Sequence, residues 1–298
     1  MANKTIEEPT LVDPRQAGPK VPEPQEQPMP GSTQEMKPKP DHGEQSYKGL
    51  GRMQGMATLI TGGDSGIGRA VAIAYAREGA DVAIAYLTED QDAEETAHWV
   101  RDAGRKVVLI KGDISDRKHA EHVIERTFHE FKHLEVLVNN AAFQNTYDKP
   151  QDWTVEDFER AFRVNVFAMF YLCKAAMPRM KPGSAIINTA SIQAFDPKPV
   201  LLGYSASKAA IVNFTKGLGR ALNDHGIRVN AVAPGPVWTP LIPSTFEGDK
   251  VKGFGENTPF GRPAQPAEIA PAYVFLATRE SQFMTGEVIG ITGGKMPL

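Results

Sequence analysis

From residue 56 onward, short runs of consecutive apolar residues alternate with longer stretches in which apolar positions recur at helical spacing. The short runs ATLIT (57–61), DVAIAY (81–86), KVVLIKG (106–112), LEVLVN (134–139), SAIINTA (184–190), IRVNAVA (227–233) and EVIGIT (287–292) predict strands. Most of them lack the polar alternation of a half-exposed strand, so both faces of the sheet are expected to be covered. Helical spacing covers about 67–78, 89–103, 116–132, 154–180, 204–224 and 266–278, and Gly79, Gly104 and Gly226 stand where helices would end in left-handed caps. Strand and helix in strict alternation predict a single α/β domain with a doubly wound parallel sheet of about seven strands.

The first fifty residues break the pattern. Pro9, Pro14, Pro19, Pro22, Pro24, Pro28, Pro30, Pro38 and Pro40 punctuate a segment rich in Gln and Glu and poor in large apolar residues. Such a segment cannot offset its own ordering entropy by burying apolar surface, so alone it is expected to be extended or disordered. The chain is thus expected to divide into an N-terminal arm, 1–50, and a folding unit, 51–298.

A net charge of −3 with scattered basic residues gives no footprint for nucleic acid. The sequence has neither the apolar core of a signal peptide nor a run long enough to span a bilayer. The single cysteine, Cys173, fits a reducing cytoplasm, and its apolar helical neighbourhood predicts an inert buried thiol. His119, His122, His129 and His133 fall on one side of the helix at 116–132, at a spacing that metal ligands use. Ala120, Val123, Ile124, Phe128 and Phe131 make the buried stripe of that helix, so the histidines are read as a solvated face and no metal is expected.

The segment TLITGGDSGIGRAVAIAYAREGADVAIAY reads strand, glycine-rich turn, helix, strand. Gly62, Gly66 and Gly68 at such a turn allow the backbone close to a pyrophosphate, which the unpaired N–H groups and dipole of the helix N-terminus attract. Dinucleotide binding is the expectation.

In order along the chain, TGGDSGIG (61–68), NNAA (139–142), Asn165 in RVNVF, Ser191, YSASK (204–208) and PGPVWTPL (234–241) resemble the short-chain dehydrogenase/reductase family. The likeness runs over residues 56–294 and implies a Rossmann-type fold. The stretch KPKPDHGEQSYKGLGRMQG (37–55) resembles a bacterial subgroup described as general stress proteins, glucose/ribitol dehydrogenase homologues and aldehyde reductases. Ala142 departs from the commoner glycine, and the proline-rich arm lies outside the common family core.

The resemblance implies cofactor contacts from the loop residues Gly62, Asp64, Ser65, Gly66, Ile67 and Gly68. It adds Tyr86, Asp113 and Ile114 on the adenosine side, and Asn139, Ala141, Pro234, Gly235, Val237 and Thr239 toward the nicotinamide. At the end of the second strand, where an NAD-binding fold places a carboxylate, Tyr86 and Leu87 stand instead. No Lys or Arg replaces the acid, so NAD(P) is expected with a lean to NADP.

Tyr204 and Lys208, four residues apart on a predicted helix, can share one face. A free phenol titrates near 10, and a nearby ammonium and a positive nicotinamide ring would favour the phenolate and lower that value. By resemblance, Tyr204 is the acid/base, Lys208 also contacts the nicotinamide ribose, Ser191 holds the substrate oxygen, and Asn165 helps to hold a water that relays protons through the lysine. Substrate contacts are expected from 143–145, 193–196, Trp238 and a loop at about 240–263, which has no clean period and suits a lid.

Together these features predict an oxidoreductase that moves a hydride between NAD(P)(H) and an aldehyde, ketone or sugar alcohol. A stress-associated dinucleotide-binding scaffold with little turnover is the competing expectation. Family members commonly form homotetramers, and the arm is expected to be able to reach a neighbouring subunit.

Overall fold

The computed structural model describes residues 12–18 and 23–295. Pro9, Pro19 and Pro22 lie outside the described residues. Strands β1 (Ala57–Thr61), β2 (Asp81–Tyr86), β3 (Val107–Lys111), β4 (Val136–Asn139), β5 (Ala185–Thr189), β6 (Arg228–Pro234) and β7 (Val288–Ile291) form one sheet in the order β3-β2-β1-β4-β5-β6-β7. All neighbouring strands pair in parallel. The expected seven-stranded α/β Rossmann-type architecture is therefore present.

The uninterrupted apolar runs have the predicted cause. Leu59, Ala83, Ala85, Leu137 and Ile186 face one core, packed by α3 (Arg117–Phe131), α5 (Ala168–Ala176) and α6 (Leu202–Ala221). Their strand neighbours Ile60, Val82, Ile84, Val138 and Ile187 face the other, packed by α1 (Gly66–Arg77), α2 (Asp90–Asp102) and α8 (Pro266–Ala277). Successive residues point to opposite faces, so a sheet covered on both sides needs apolar residues at every position. Gly79, Gly104 and Gly226 all adopt positive φ after helices, as expected.

The helix expected over 154–180 is not continuous. It consists of α4 (Val155–Phe162), a π-helical turn (Arg163–Phe167), α5 and a tight turn at Met177–Arg179. The interruption centres on Asn165, whose side chain bonds away from the helix to Phe143. Insertions of this kind are a recognised cause of helix distortion. Of the predicted histidine stripe, His122 and His129 are exposed and His119 is half-buried against Gly112.

Residues 23–50 lie along their own chain. They contain little regular structure beyond the turn Thr33–Glu35, and polar contacts do most of the fastening. Glu78, at the end of α1, accepts from Tyr47 OH, the backbone N–H groups of Leu50 and Arg52, and the Arg52 guanidinium at 2.6–3.0 Å. Burial alone would raise the Glu78 carboxyl, but Arg52, Tyr47 and the two N–H donors outweigh it and hold the group at about 2. Arg77 donates to the carbonyls of Gly43 and Tyr47 at 2.6 Å.

Glu78→Ala is expected to cost about 3 kcal/mol of stability, read as a lowered urea midpoint, because it strands several donors at once. The stabilisation from Glu78 should be complete above pH 4.5 and vanish as the pH falls toward 2. An unchanged midpoint at neutral pH would show that the arm is not anchored there.

Candidate active site

The carboxyl ends of β1, β4, β5 and β6 converge where the strand order reverses, which is where open α/β sheets bind ligands. A cleft of about 300 Å³ lies there. Its floor at one end is the glycine loop. Helix α1 begins at Gly66, and its N-cap Ser65 makes no side-chain cap, so the first N–H groups of the helix have no such partner. A Cβ at Gly68 would lie 1.9 Å from the Gly62 carbonyl oxygen, and Gly62 and Gly66 both have positive φ. The loop thus has a shape that side chains would destroy, as a cradle for a pyrophosphate requires.

A polar staple fixes that cradle to the next strand. Asn140 Nδ2 donates to the carbonyls of Thr61 (3.1 Å) and Gly62 (3.2 Å), while Thr61 Oγ1 accepts from the N–H groups of Asn140 and Ala141. Beneath the loop, Arg69 donates to the Asp64 carbonyl and to the Asp92 carboxylate, both at 2.9 Å, in a fully buried ion pair. Asp64 itself lines the cleft, and burial, reinforced by Asp92, raises its carboxyl to about 6.

Of the sequence-predicted cofactor residues, Gly62, Asp64, Ser65, Gly66, Ile67, Tyr86, Asp113, Ile114, Ala141, Pro234, Gly235, Val237 and Thr239 line the cleft, together with Tyr204 and Lys208. Gly68 lies behind the loop. Asn139 does not line the cleft: its amide points inward to Asn188 Oδ1 (2.9 Å) and Cys173 Sγ (3.5 Å), and Asn140 occupies the wall in its place. Asn139 ends β4 and Asn140 follows it directly, their side chains point to different sides, and composition alone does not distinguish them.

At the end of the cleft beside β2 and β3, Tyr86 OH donates to Asp90 Oδ1 (2.8 Å) and Lys111 bonds Asp90 Oδ2 (2.6 Å). Among the described residues no Lys or Arg lines that end, whereas Glu89 does.

Tyr204 and Lys208 sit in the first turns of α6 and both face the cleft. Lys208 Nζ donates to the Thr189 carbonyl at 2.7 Å, at the end of β5, and lies 5.4 Å from the Tyr204 ring centre. Ser191 caps the turn Ile192–Ala194 by accepting from Gln193 N (3.1 Å), and its hydroxyl stands beside the phenol. The side chains of Ser191, Tyr204 and Lys208 are brought together on one wall.

Asn165 is not on that wall. Its side chain pairs with both backbone groups of Phe143 and donates to Ser207 Oγ, at 2.7–2.9 Å, which clamps the loop after β4 to α6 one residue before Lys208. Both of its amide hydrogens are used within the protein.

Within the chain itself, burial dominates the electrostatics of this pair. In the chain alone the lysine does not lower the tyrosine. Burial raises the Tyr204 phenol to about 12 against a partial offset from Ser191, and burial lowers Lys208 to about 7. Both groups are deprived of water, and the desolvation penalty exceeds their mutual influence until further positive charge arrives.

From the segments expected to contact substrate, Gln144, Gln193, Leu241, Ile242, Phe246 and Phe254 line the cleft. Trp238 does not. It is 1% exposed, packs with Met36, Ile242 and Val251, and donates from Nε1 to the Pro38 carbonyl at 2.8 Å. Arg160, Lys198, Lys295 and Pro30 also line the cleft and were not singled out by the sequence, because each sits in a segment with no motif of its own.

Comparison with known proteins agrees with this geometry. The family model described as enoyl-(acyl carrier protein) reductase matches residues 62–295. The oxidoreductase YhdF of Bacillus subtilis, itself described as uncharacterized, is 49% identical over 274 residues, 92% of this chain and 95% of the relative. General stress protein 39 of Bacillus subtilis is 49% identical over 89% of this chain and 93% of its own. Glucose and ribitol dehydrogenase of Daucus carota is 44% identical over 93% and 98%. Among solved structures, a short-chain dehydrogenase from Burkholderia cenocepacia in complex with NADP superposes with a TM-score of 0.76 at 31% identity, covering 82% of this chain and 98% of that one. A blue fluorescent protein from a metagenomic library in complex with NADPH superposes with a TM-score of 0.77 at 29% identity, covering 83% and 100%. The chain belongs to the short-chain dehydrogenase/reductase family of NAD(P)-dependent oxidoreductases.

Between about pH 7 and 10.5 the unfolded chain keeps a proton on Lys208 that the folded chain has lost, so this residue makes stability rise with pH in that window. Lys208→Met is therefore expected to show its most favourable stability relative to the parent below pH 7, with the difference shifting toward the parent as the pH approaches 10.5. Parallel thermal unfolding of both proteins across that range checks the slope; a flat difference would contradict the depressed lysine.

Proposed function

We propose that this family member is a carbonyl reductase or alcohol dehydrogenase acting on an aldehyde, ketone or sugar alcohol, with Tyr204 as the proton donor or acceptor. The observation that carries the reading is the junction of Ser191, Tyr204 and Lys208 on one wall of a cleft whose far end is a glycine-rich loop at a helix N-terminus. Bound in that cleft, a reduced nicotinamide supplies the hydride.

Proton chemistry falls to the chain. In carbonyl reduction the Tyr204 O–H donates its proton to the substrate oxygen as negative charge develops there, and the Ser191 hydroxyl donates a hydrogen bond to the same oxygen. The buried phenol is neutral at physiological pH and so already in the form that reduction needs. Lys208, tied to Thr189 O, is held beside the ring, where an ammonium favours the phenolate left behind. Asn165 keeps the turn bearing Lys208 in register with the loop after β4.

For the carrier, Tyr86 and Leu87 at the end of β2 favour NADP(H), and two similar structures are complexes with NADP and NADPH. The carboxylates of Asp64 and Glu89 on the same wall count toward NAD(H). The apolar side chains Val155, Phe158, Phe167, Phe170 and Leu202, exposed at 40–68% on α4–α6 and the turn between α4 and α5, support self-association, for which we propose the homotetramer. Cytoplasmic location is proposed on the same footing; no helix among the described residues is long and apolar enough to cross a membrane.

Tyr204→Phe is expected to lower turnover about a thousandfold while dinucleotide affinity stays within about tenfold. The measurement is a screen of aldehydes, ketones and polyols with both forms of NAD and NADP, paired with fluorescence titration of the dinucleotides. Near-parental turnover in the variant would sink the assignment of Tyr204. Tight dinucleotide binding by the parent with no turnover on any substrate would instead favour the binding-only role.

A further inference from the structure

We propose that the N-terminal arm is a working part of the active site, with Pro30 as a specificity-determining wall residue and Thr33 and Met36 as positioning residues for the glycine loop and the lid. The proposal rests on the reading of the cleft as a carbonyl site and extends it to a segment outside the common family core.

Pro30 lines the cleft, as do Ile242, Phe246 and Phe254, and its carbonyl accepts from Ser244 of the lid. It is brought there by a close approach of two backbones. A Cβ at Gly31 would lie 2.6 Å from the Pro240 carbonyl oxygen, and Gly31 has φ +84°, so the arm meets the lid where only glycine fits.

The arm then follows the lid residue by residue. Gln27 N donates to Pro243 O (2.8 Å), Gly248 N donates to Glu26 Oε1 (2.5 Å) and Ser244 Oγ donates to Pro30 O (3.3 Å). Met36, fully buried, plugs the cluster of Trp238, Ile242 and Val251. The lid itself has only the four-residue helix α7 (Gly248–Val251) for regular structure, so much of its order comes from these attachments.

The same arm grips the other end of the cleft. Thr33 N donates to Asp92 Oδ2 at 2.9 Å, the Asp92 carboxylate holds Arg69, and Arg69 Nε holds the Asp64 carbonyl inside the glycine loop. A chain of three hydrogen bonds thus runs from the arm to the cofactor cradle. Thr33 and Met36 are three residues apart, so one short turn ties the cradle and the lid to a common anchor.

Two variants separate the two ends. A chain lacking residues 1–31 keeps Thr33 and Met36 but loses Pro30 and the lid bonds. With that wall gone, the ratio of kcat/KM between a short and a long straight-chain aldehyde is expected to change at least about fivefold, and lid amides at 241–256 to exchange hydrogen at least about tenfold faster. Thr33→Pro removes the N–H donor to Asp92 and a buried hydroxyl that bonds nothing, and leaves the rest of the arm in place. Ser32 has φ −121° and ψ 136°, which a following proline requires, and Thr33 opens the short turn, where proline is tolerated. This variant is expected to weaken dinucleotide binding about tenfold while lid exchange stays at the parental rate.

Parental aldehyde ratio and parental lid exchange in the truncated chain would overturn the lid end of the proposal. Parental dinucleotide affinity in Thr33→Pro would overturn the cradle end, and so would an affinity loss matched by faster exchange throughout the chain, which signals general destabilisation. Should the parent turn over no carbonyl compound, the functional reading falls, and lid exchange together with dinucleotide affinity still decides for or against the strap.

Discussion

The burial of the Lys208 side chain, with Nζ on the Thr189 carbonyl, is the constraint on which the rest of the site depends. A lysine that is 1% exposed and has one protein acceptor is costly, since an ammonium deprived of water recovers only part of its solvation from a single carbonyl. That cost can be tolerated only because the end of β5 and the first turns of α6 are themselves held by packing on both sides of the sheet. Ser191 and Tyr204 inherit their positions from the same two elements. The sheet order then delivers the glycine loop to the other side of the same cleft.

Much of this is legible in the sequence because it obeys short periods. Apolar runs locate all seven strands to within two residues at each end, although only the inner strands are buried on both faces and the edge strands β3 and β7 are partly exposed. The glycine loop is legible because its steric demands remove side chains at fixed positions. Tyr204 and Lys208 are legible through their helical spacing. What escapes is whatever depends on contacts distant in sequence. Asn139 and Asn140 are identical in composition, and only the direction of the strand decides which faces the cleft. Trp238 has the character of a ligand-stacking residue, yet its indole is consumed by Pro38 from two hundred positions away. The π-helical turn at Asn165 is invisible to periodicity, since the partners of that side chain, Phe143 and Ser207, lie far away in sequence.

The arm shows the same limit more plainly. Read alone, residues 23–50 have too few apolar groups to organise themselves. Their order is supplied from outside, by Glu78, Arg77 and Asp92, each of which offers hydrogen-bonding capacity that its own helix does not use. Proline lowers the entropy lost when such a segment docks, because the free chain has fewer conformations to surrender. Composition therefore describes the free segment correctly and says nothing about the surface prepared to receive it.

Cys173 has a consequence of its own. It is the chain's single thiol, fully buried beside Asn139, and burial raises it to about 12, so almost none of it is thiolate at physiological pH. Reactive carbonyls add readily to exposed thiolates to give hemithioacetals. With its one sulfur withheld in this way, the chain offers reactive carbonyls no thiolate to modify, whatever compounds it meets.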